Sequence, residues 1–194
     1  MINPTKAGLA VCDEKHPAGG NGGGQFDSGH NLSGVTSVSI ECGSFNWEQK
    51  YDFTIKRIFL EFEEANCKDM FWGHGVDNKG ENKIFKLDLP PDDVIEKVVV
   101  WADHRLANAV QFHLASGHVS QMYGIPAPGA KETVFGGEEG TQLSGVYGRF
   151  GGVIDSLGFS FAKTENAVPS LVGHEEWTEA GSAFETSLSE KAVK

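Results

Sequence analysis

Six short segments with the composition of β-strands recur along the sequence, and they constrain the fold more than any other feature. In one of them Phe85, Leu87 and Leu89 alternate with polar residues, which is the period of two expected for a half-buried strand. In the segment 53–62 the same alternation shifts phase near Arg57. The six segments are 35–42, 53–62, 83–89, 94–102, 108–115 and 118–124.

The segments that separate these runs have the composition of turns. They are ECGSFN (41–46), GHGVDNKGEN (73–82), ASGH (115–118), PAPGA (126–130) and FGGEEG (135–140). The chain has 25 glycines without a fixed period, which excludes a collagen-like chain and favours many turns that need positive φ. Short strands separated in this way predict an all-β sandwich, barrel or prism rather than βαβ units.

The charge and the cysteine content limit which binding partners and which cellular compartment are expected. The formal net charge is −11 and the basic residues form no run, so neither nucleic acid nor an anionic membrane is expected as a partner. Cys12, Cys42 and Cys67 are odd in number and form no CxxC pair, and the N-terminal segment has no long apolar run. We therefore expect free thiols and a cytoplasmic protein, although a mature chain whose signal was removed, or release by a non-classical route, would fit as well.

Motifs of catalysis and metal binding are missing from the sequence. It contains no HExxH, no GxSxG and no phosphate-binding loop. His113 and His118 flank a turn, and Glu175 follows His174, but neither pair has a further ligand nearby in sequence. We expect neither catalytic activity nor a bound metal or other cofactor.

Two glycine-rich motifs, far apart in sequence, carry the functional information. The first, GGNGGGQFDSG, covers residues 19–29, and the second, GVYGRFGGVIDSLGFSF, covers 145–161. The spacing Gly-x-x-x-Asp occurs at Gly23–Asp27, Gly73–Asp77 and Gly151–Asp155, so the spacing alone is not specific. The third occurrence is distinguished by its place in the second motif, together with the glycine loop of the first.

Together the two motifs resemble the jacalin-related lectins, whose signature is a GGxGG loop before an aromatic–Asp pair and a late G-x-x-x-D before an apolar strand. The resemblance covers roughly residues 17–164. It implies an all-β fold of the β-prism I type, in which three four-stranded antiparallel sheets surround a pseudo-threefold axis, in a lectin domain at 10–164. Residues 165–194 are expected to be a C-terminal extension, either a short helix or a polar tail.

The resemblance also implies a carbohydrate-binding site. The ionised carboxylate of Asp155 would accept hydrogen bonds from two neighbouring sugar hydroxyls, and glycine N–H groups would donate, because no Cβ keeps the sugar away. A loop between two mid-chain strands often contributes in the family, and here it would supply His104 and Arg105. The carbohydrate-binding residues implied are Gly22, Gly23, His104, Arg105, Gly151, Gly152, Val153 and Asp155.

The expected ligands are glycans that contain mannose or glucose. Galactose-preferring relatives are cleaved to create a free glycine at the first loop, whereas this chain continues for eighteen residues ahead of Gly19. Some relatives have a second sugar site with its own aspartate, but the corresponding place here holds Lys56, which cannot accept hydrogen bonds. Because one shallow sugar pocket binds weakly, we expect a homo-oligomer with several linked sites.

Two other classes of function remain open at this point. The chain could be a non-catalytic protein-interaction module that kept the fold and lost sugar binding, because a fold does not fix a function. A glycosidase would need two carboxylates in the pocket, and Asp155 has no acidic companion in the motif segments. Phe150, next to Gly151, is a candidate for stacking on a sugar ring, although an aromatic residue in a β-rich chain usually belongs to the core.

Overall fold

A computed structural model describes residues 15–47, 49–63, 70–72 and 82–164, and these residues form twelve β-strands. The strands are β1 (Ala18–Gly19), β2 (Gly24–Asp27), β3 (Val35–Trp47), β4 (Gln49–Phe62), β5 (Met70–Trp72), β6 (Lys83–Asp88), β7 (Ile95–Ala102), β8 (Ala107–Leu114), β9 (Tyr123–Gly124), β10 (Lys131–Gly136), β11 (Thr141–Phe150) and β12 (Ile154–Lys163). Within this part of the chain no helix is long and apolar enough to cross a membrane.

The strands form three four-stranded sheets that share one plan. The strand orders are β1-β12-β11-β2, β5-β4-β3-β6 and β10-β7-β8-β9, and every pairing is antiparallel. In each sheet a hairpin of two long strands lies in the centre and two shorter strands lie at the edges. This arrangement confirms the predicted all-β prism of three four-stranded sheets.

One sheet, called the terminal sheet below, combines the start and the end of the described chain. β1 pairs with β12, so that Gly19 lies opposite Ser156, and β2 pairs with β11, so that Asp27 lies opposite Tyr147. Because β1 and β2 flank the hairpin β11–β12 on its two sides, the loop between β1 and β2 must pass beside the turn between β11 and β12. This topology brings together the two motifs that are far apart in sequence.

The central hairpin β3–β4 differs in one respect from the sequence prediction. The segment 41–46 was predicted to be a turn, and this prediction is wrong, because β3 continues to Trp47. The turn-like composition accommodates irregular pairing instead, with register shifts between Glu41 and Cys42 and between Gly43 and Phe45. Glycine lacks a side chain to pack and often marks such a bulge inside a strand.

Two further details of the strands depend on local pairing. The phase shift near Arg57 is confirmed as a bulge, since Glu41 pairs with Arg57 while Cys42 pairs with Ile55 and leaves one extra residue on β4. The predicted strand at 118–124 is only partly regular. It contains one isolated bridge, at Val119, followed by the two residues of β9.

A large apolar core fills the space between the three sheets. Phe112 of β8 packs edge-on against Phe159 of β12, with ring centroids 6.0 Å apart, and Phe135 of β10 contacts the same ring at 5.9 Å. Ile40 of β3 and Ile58 of β4, from the remaining sheet, are fully buried in this cluster. Burying a side chain of this size contributes about 1.5–3 kcal/mol, so the three sheets stabilise one another through this shared interior.

A smaller apolar cluster closes one end of the prism. It consists of Tyr51 from β4, Leu106 from the turn after β7 and Val153 from the turn after β11, with Phe45 and Ala127 packed against it. The buried members come from the central hairpins of three different sheets. The cluster therefore fixes the turns of those hairpins relative to one another, and the candidate site lies on top of it.

Candidate functional site

All eight residues predicted for the site line one open cavity of about 530 Å³ at this end of the prism. Small-molecule sites in proteins typically measure roughly 300–1,000 Å³, so this cavity, called the end cavity below, has the size of such a site. The other residues that line this end cavity are Gly20, Asn21, Phe45, Tyr51 and Leu106.

Three loops from two sheets form the polar rim of the end cavity. The loop β1–β2 contributes residues 20–23, and the loop β11–β12 contributes residues 151–153, with Asp155 just inside β12. The loop β7–β8 of a neighbouring sheet contributes residues 104–106. The structure thus brings the mid-chain loop, which was included by resemblance, against the two glycine motifs.

The carboxylate of Asp155 lies directly against bare glycine backbone. A Cβ at Gly22 would overlap Oδ1 of Asp155, and a Cβ at Gly23 would lie 2.7 Å from Oδ2 and overlap the Phe150 carbonyl. Gly23 also has φ +59°, a conformation that residues with a Cβ adopt at a cost. Gly22 and Gly23 of the first motif are therefore required by close approach to the second motif.

Asp155 carries unused capacity to accept hydrogen bonds. Its Oδ2 is buried and receives no hydrogen bond from the described part of the chain. Burial raises the pKa of this carboxyl, while the charge of Arg149 and the backbone N–H groups of Gly151 and Asp155 act in the opposite direction. A buried acceptor needs a donor, so this carboxylate oxygen is placed to accept a hydrogen bond from a ligand hydroxyl.

Arg149 holds the glycine loop in place. From β11, its Nε donates to the carbonyl oxygen of Gly22 at 2.7 Å and its Nη2 donates to that of Gly23 at 2.8 Å. Sequence reasoning included Arg149 in the second motif but gave it no role. The available signal was that Arg149 is the only cationic residue in the second motif, while the carbonyl groups of the glycine loop need hydrogen-bond donors.

The loop β7–β8 is fixed by Asp103. Its Oδ1 accepts from the backbone N–H groups of Arg105 at 2.7 Å and Leu106 at 2.8 Å, and its Oδ2 accepts from the hydroxyl of Tyr51 at 2.9 Å. Burial, reinforced by the hydrogen bond to Asp103, raises the pKa of Tyr51 to about 12. Tyr51 therefore remains protonated and connects the loop that presents His104 and Arg105 to a second sheet.

The three loops also contact one another through Gly20. Its backbone N–H donates to the carbonyl oxygen of Asp155 at 2.9 Å, and a Cβ at this position would overlap the carbonyl group of Arg105. His104 is exposed at the rim, where its Nε2 accepts a hydrogen bond from Nε of Arg105 at 3.1 Å. Backbone packing thus fixes the relative positions of the loops, while the side chains of His104 and Arg105 face the opening.

The aromatic residues at the end cavity are not those that the sequence suggested. Phe150 does not line it; its ring lies 5.9 Å from that of Phe26 and packs against the main core. Phe45 and Tyr51, on either side of the β3–β4 turn, line the cavity instead. Sequence spacing could not identify them, because their approach to the site depends on how the hairpin turns of different sheets meet.

Lys56, which the sequence analysis placed where some relatives have a second sugar site, is buried. Nζ of Lys56 donates to Oδ1 of Asn82 at 2.6 Å, and Nδ2 of Asn82 donates to Glu41 at 2.7 Å. Burial lowers the pKa of Lys56. Gly73 and Asp77, the second occurrence of the Gly-x-x-x-Asp spacing, lie outside the described residues. Among the residues that the structure describes, no three His, Cys, Asp or Glu side chains are grouped to hold a metal ion.

The three-sheet prism with a glycine-lined cavity at one end defines a β-prism lectin domain. The sequence profile of the jacalin-like lectin domain family matches residues 15–160, and the chain belongs to that family. Members of this family are carbohydrate-binding domains rather than enzymes. The boundaries at 10–164 and 165–194 stay predictions, since their outer segments lie outside the described residues.

Known relatives agree with this assignment. Jacalin-related lectin 40 of Arabidopsis thaliana is 31% identical over 145 residues, which cover 74% of this chain and 30% of that protein. Jacalin-related lectin 9 of the same plant is 26% identical over 168 residues, covering 83% of this chain and 47% of that protein. The chain thus spans less than half the length of these curated relatives.

A solved structure with the same fold is the mannose-specific jacalin-related lectin from Morus nigra in complex with mannose. The TM-score is 0.62 at 16% sequence identity, and the match covers 81% of this chain and 99% of that one. At this level of identity the likeness concerns the fold.

Proposed function

We propose that this domain is a lectin that binds mannose- or glucose-containing glycans in the end cavity, without a metal ion. The observation that carries the proposal is the buried, unpartnered Oδ2 of Asp155 beside the glycine loop, in a cavity lined by all eight residues implied by the family resemblance. The mannose-specific relative from Morus nigra supports the choice of sugar.

The chemistry of a hexose matches these groups. Vicinal hydroxyls can each donate to the carboxylate of Asp155, and hydrogen bonds to a charged acceptor are stronger than neutral ones. Backbone N–H groups of Gly23, Gly152 and Val153 would donate to the sugar oxygens, because glycine allows the ring to come close. His104 and Arg105 would contact the hydroxyls on the side of the loop β7–β8.

Two further properties belong to the proposal. Binding should not require calcium, because the site supplies one carboxylate and backbone groups rather than the six to eight oxygen ligands that calcium takes. The protein should act as a homo-oligomer, because a millimolar site corresponds to about −4 kcal/mol and linked sites raise the avidity by roughly 10²–10⁴.

Isothermal titration calorimetry with methyl α-mannoside, with and without EDTA, tests the proposal. We expect binding by the wild type in both conditions and a loss of detectable binding in Asp155→Asn, since the exchange keeps the shape and replaces an acceptor with a donor. The matched control is Asp88→Asn, which changes an exposed carboxylate on β6 outside the cavity. A glycan array with no bound sugar would contradict the proposal and favour an interaction module.

A further inference from the structure

We propose that a second groove, on the outer face of the terminal sheet, binds the next sugar residue of a glycan whose first residue occupies the end cavity; this inference rests on the proposed function. The groove, called the outer groove below, has a volume of about 470 Å³. It is lined by Pro17, Asn21, Gln25, Phe26, Asp27, Tyr147, Gly148 and Arg149.

The two cavities lie on opposite sides of the same glycine loop. Asn21, which is exposed in that loop, lines both of them. Arg149 lines the outer groove, yet it holds the carbonyl groups of Gly22 and Gly23, which line the end cavity. The barrier between the cavities is therefore a loop of small residues, and a glycan bound at Asp155 could cross it at Asn21.

The strand pairing arranges four side chains of the outer groove on one face. Gln25 lies opposite Arg149, and Asp27 lies opposite Tyr147, in the ladder between β2 and β11. Because side chains two residues apart point to the same side of a strand, these two cross-strand pairs are neighbours. Tyr147 lines the outer groove, and its ring packs closely over Gly158 of β12.

The polar groups of the outer groove have unused hydrogen-bonding capacity. The side-chain amides of Asn21 and Gln25 make no hydrogen bond with the described residues, and Arg149 retains Nη1 as a donor. Oδ1 of Asp27 accepts from the backbone N–H of Gly29 at 2.7 Å, and its Oδ2 accepts from no residue in the described part of the chain. Donors and acceptors lie side by side with one positive and one negative charge, which suits a neutral ligand whose hydroxyls both donate and accept.

A rival route leads from the end cavity in the opposite direction, across His104. It reaches a groove of about 460 Å³ that is also lined by Asp103, Lys131 and Thr133. There the carboxylate of Asp103 is already used by Tyr51 and by two backbone N–H groups, and His104 accepts from Arg105. In the rival groove this leaves the side chains of Lys131 and Thr133 for a ligand, whereas the outer groove offers Asn21, Gln25, Asp27 and Arg149, with charges of both signs. The outer groove is therefore the better site for a second sugar.

The test compares methyl α-mannoside with the α1→2, α1→3 and α1→6 mannobioses by isothermal titration calorimetry. We expect the wild type to bind at least one disaccharide more tightly than the monosaccharide. Gln25→Ala should remove roughly threefold to tenfold of that gain, the range of one or two lost hydrogen bonds, and should leave the monosaccharide affinity unchanged. The matched control is Lys131→Ala, an exposed residue of β10 in the rival groove, which should keep the gain.

The other outcomes show whether the outer groove alone is rejected or the proposed sugar binding as well. If Gln25→Ala keeps the disaccharide gain, or if Lys131→Ala loses it, the outer groove is not the second subsite. If the wild type binds methyl α-mannoside but no disaccharide more tightly, the outer groove is rejected and the end cavity stands. If the wild type binds neither class of sugar, the proposed function fails and the outer groove with it. Unchanged thermal unfolding of Gln25→Ala checks that its effect is local.

Discussion

The carboxylate of Asp155 occupies the space that a side chain at Gly22 would need. The two residues belong to opposite ends of the described chain and meet because β1 and β2 flank the hairpin β11–β12. The glycine loop and the aspartate therefore form one unit: the loop can pass only where no Cβ is present, and the carboxylate is buried only because the loop passes there.

The first prediction follows from this contact. Gly22→Ala should lower the affinity for methyl α-mannoside at least tenfold and reduce the free energy of unfolding by about 1–3 kcal/mol, because the new methyl group must displace the carboxylate or the loop. Calorimetry and urea denaturation measure the two effects. Gly24→Ala is the matched control, since a Cβ at Gly24 would meet no atom within 4 Å. Equal affinities for the two variants would contradict the site.

The second prediction concerns the pH dependence of sugar binding. Burial raises the pKa of Asp155 above its usual value of 3.8, and the ionised form is the one that accepts two sugar hydroxyls. The affinity should therefore fall as the pH decreases through a midpoint above 3.8, and binding should release protons at that midpoint. Titrations between pH 3 and pH 7 in two buffers of different ionisation enthalpy measure both. A midpoint at or below 3.8 would contradict a raised pKa of the carboxylate that accepts the sugar hydroxyls.

The third prediction concerns the stability of the protein without sugar. Because the folded state raises the pKa of Asp155, it binds a proton more readily than the unfolded chain between pH 3.8 and the raised value. Within that window this residue makes the protein less stable as the pH rises. Asp155→Asn should remove this contribution, so its stability relative to the wild type should increase with pH across the window, as followed by thermal unfolding. A constant difference would argue against a raised pKa.

The fourth prediction concerns Tyr51 as a positioning residue. Tyr51→Phe removes the donor to Oδ2 of Asp103, so the loop that carries His104 and Arg105 loses one support. We expect a loss of about 1.5–3 kcal/mol in the free energy of unfolding, as for a hydrogen bond to a charged acceptor, and a several-fold lower sugar affinity. Asp103→Asn keeps one oxygen for the two backbone N–H groups and places an amide NH2 group near the Tyr51 hydroxyl, whose oxygen can accept from it, so this variant should have a smaller effect on affinity. Wild-type affinity in Tyr51→Phe would show that the loop needs no such support.

The fifth prediction concerns the thiols. Cys42 is buried, and burial raises the pKa of its thiol to about 12, so it should resist iodoacetamide at pH 8 until the protein unfolds. Cys12 and Cys67 lie outside the described residues, and the expectation that they are free stays a prediction. Mass spectrometry after alkylation in native and denaturing buffer measures all three. An internal disulfide would contradict the cytoplasmic location expected from the sequence.

Many strands of this fold could be predicted because their patterns depend on residues close together in sequence. Period-two alternation and turn composition predicted β6, β7 and β8 to within a residue or two at their ends. Asp155 could be distinguished from Asp27 because the motif around it was informative even though its spacing was not. The segment 41–46 was mispredicted because glycine and asparagine indicate a turn or a bulge equally well, and only pairing with β4 decides between them.

By itself, the sequence determined the all-β class, the two glycine motifs and the aspartate within the second motif, Asp155, since each depends on residues a few positions apart. Only the tertiary structure decided that Arg149 holds the glycine loop, that Tyr51 supports the loop β7–β8 and that Phe45 rather than Phe150 lines the end cavity. These roles depend on contacts between residues that are 52 positions apart for Tyr51 and Asp103 and 127 apart for Arg149 and Gly22, and on three hairpins from different sheets that meet at one end. No local pattern encodes such contacts, because they arise from the burial of one core shared by all three sheets.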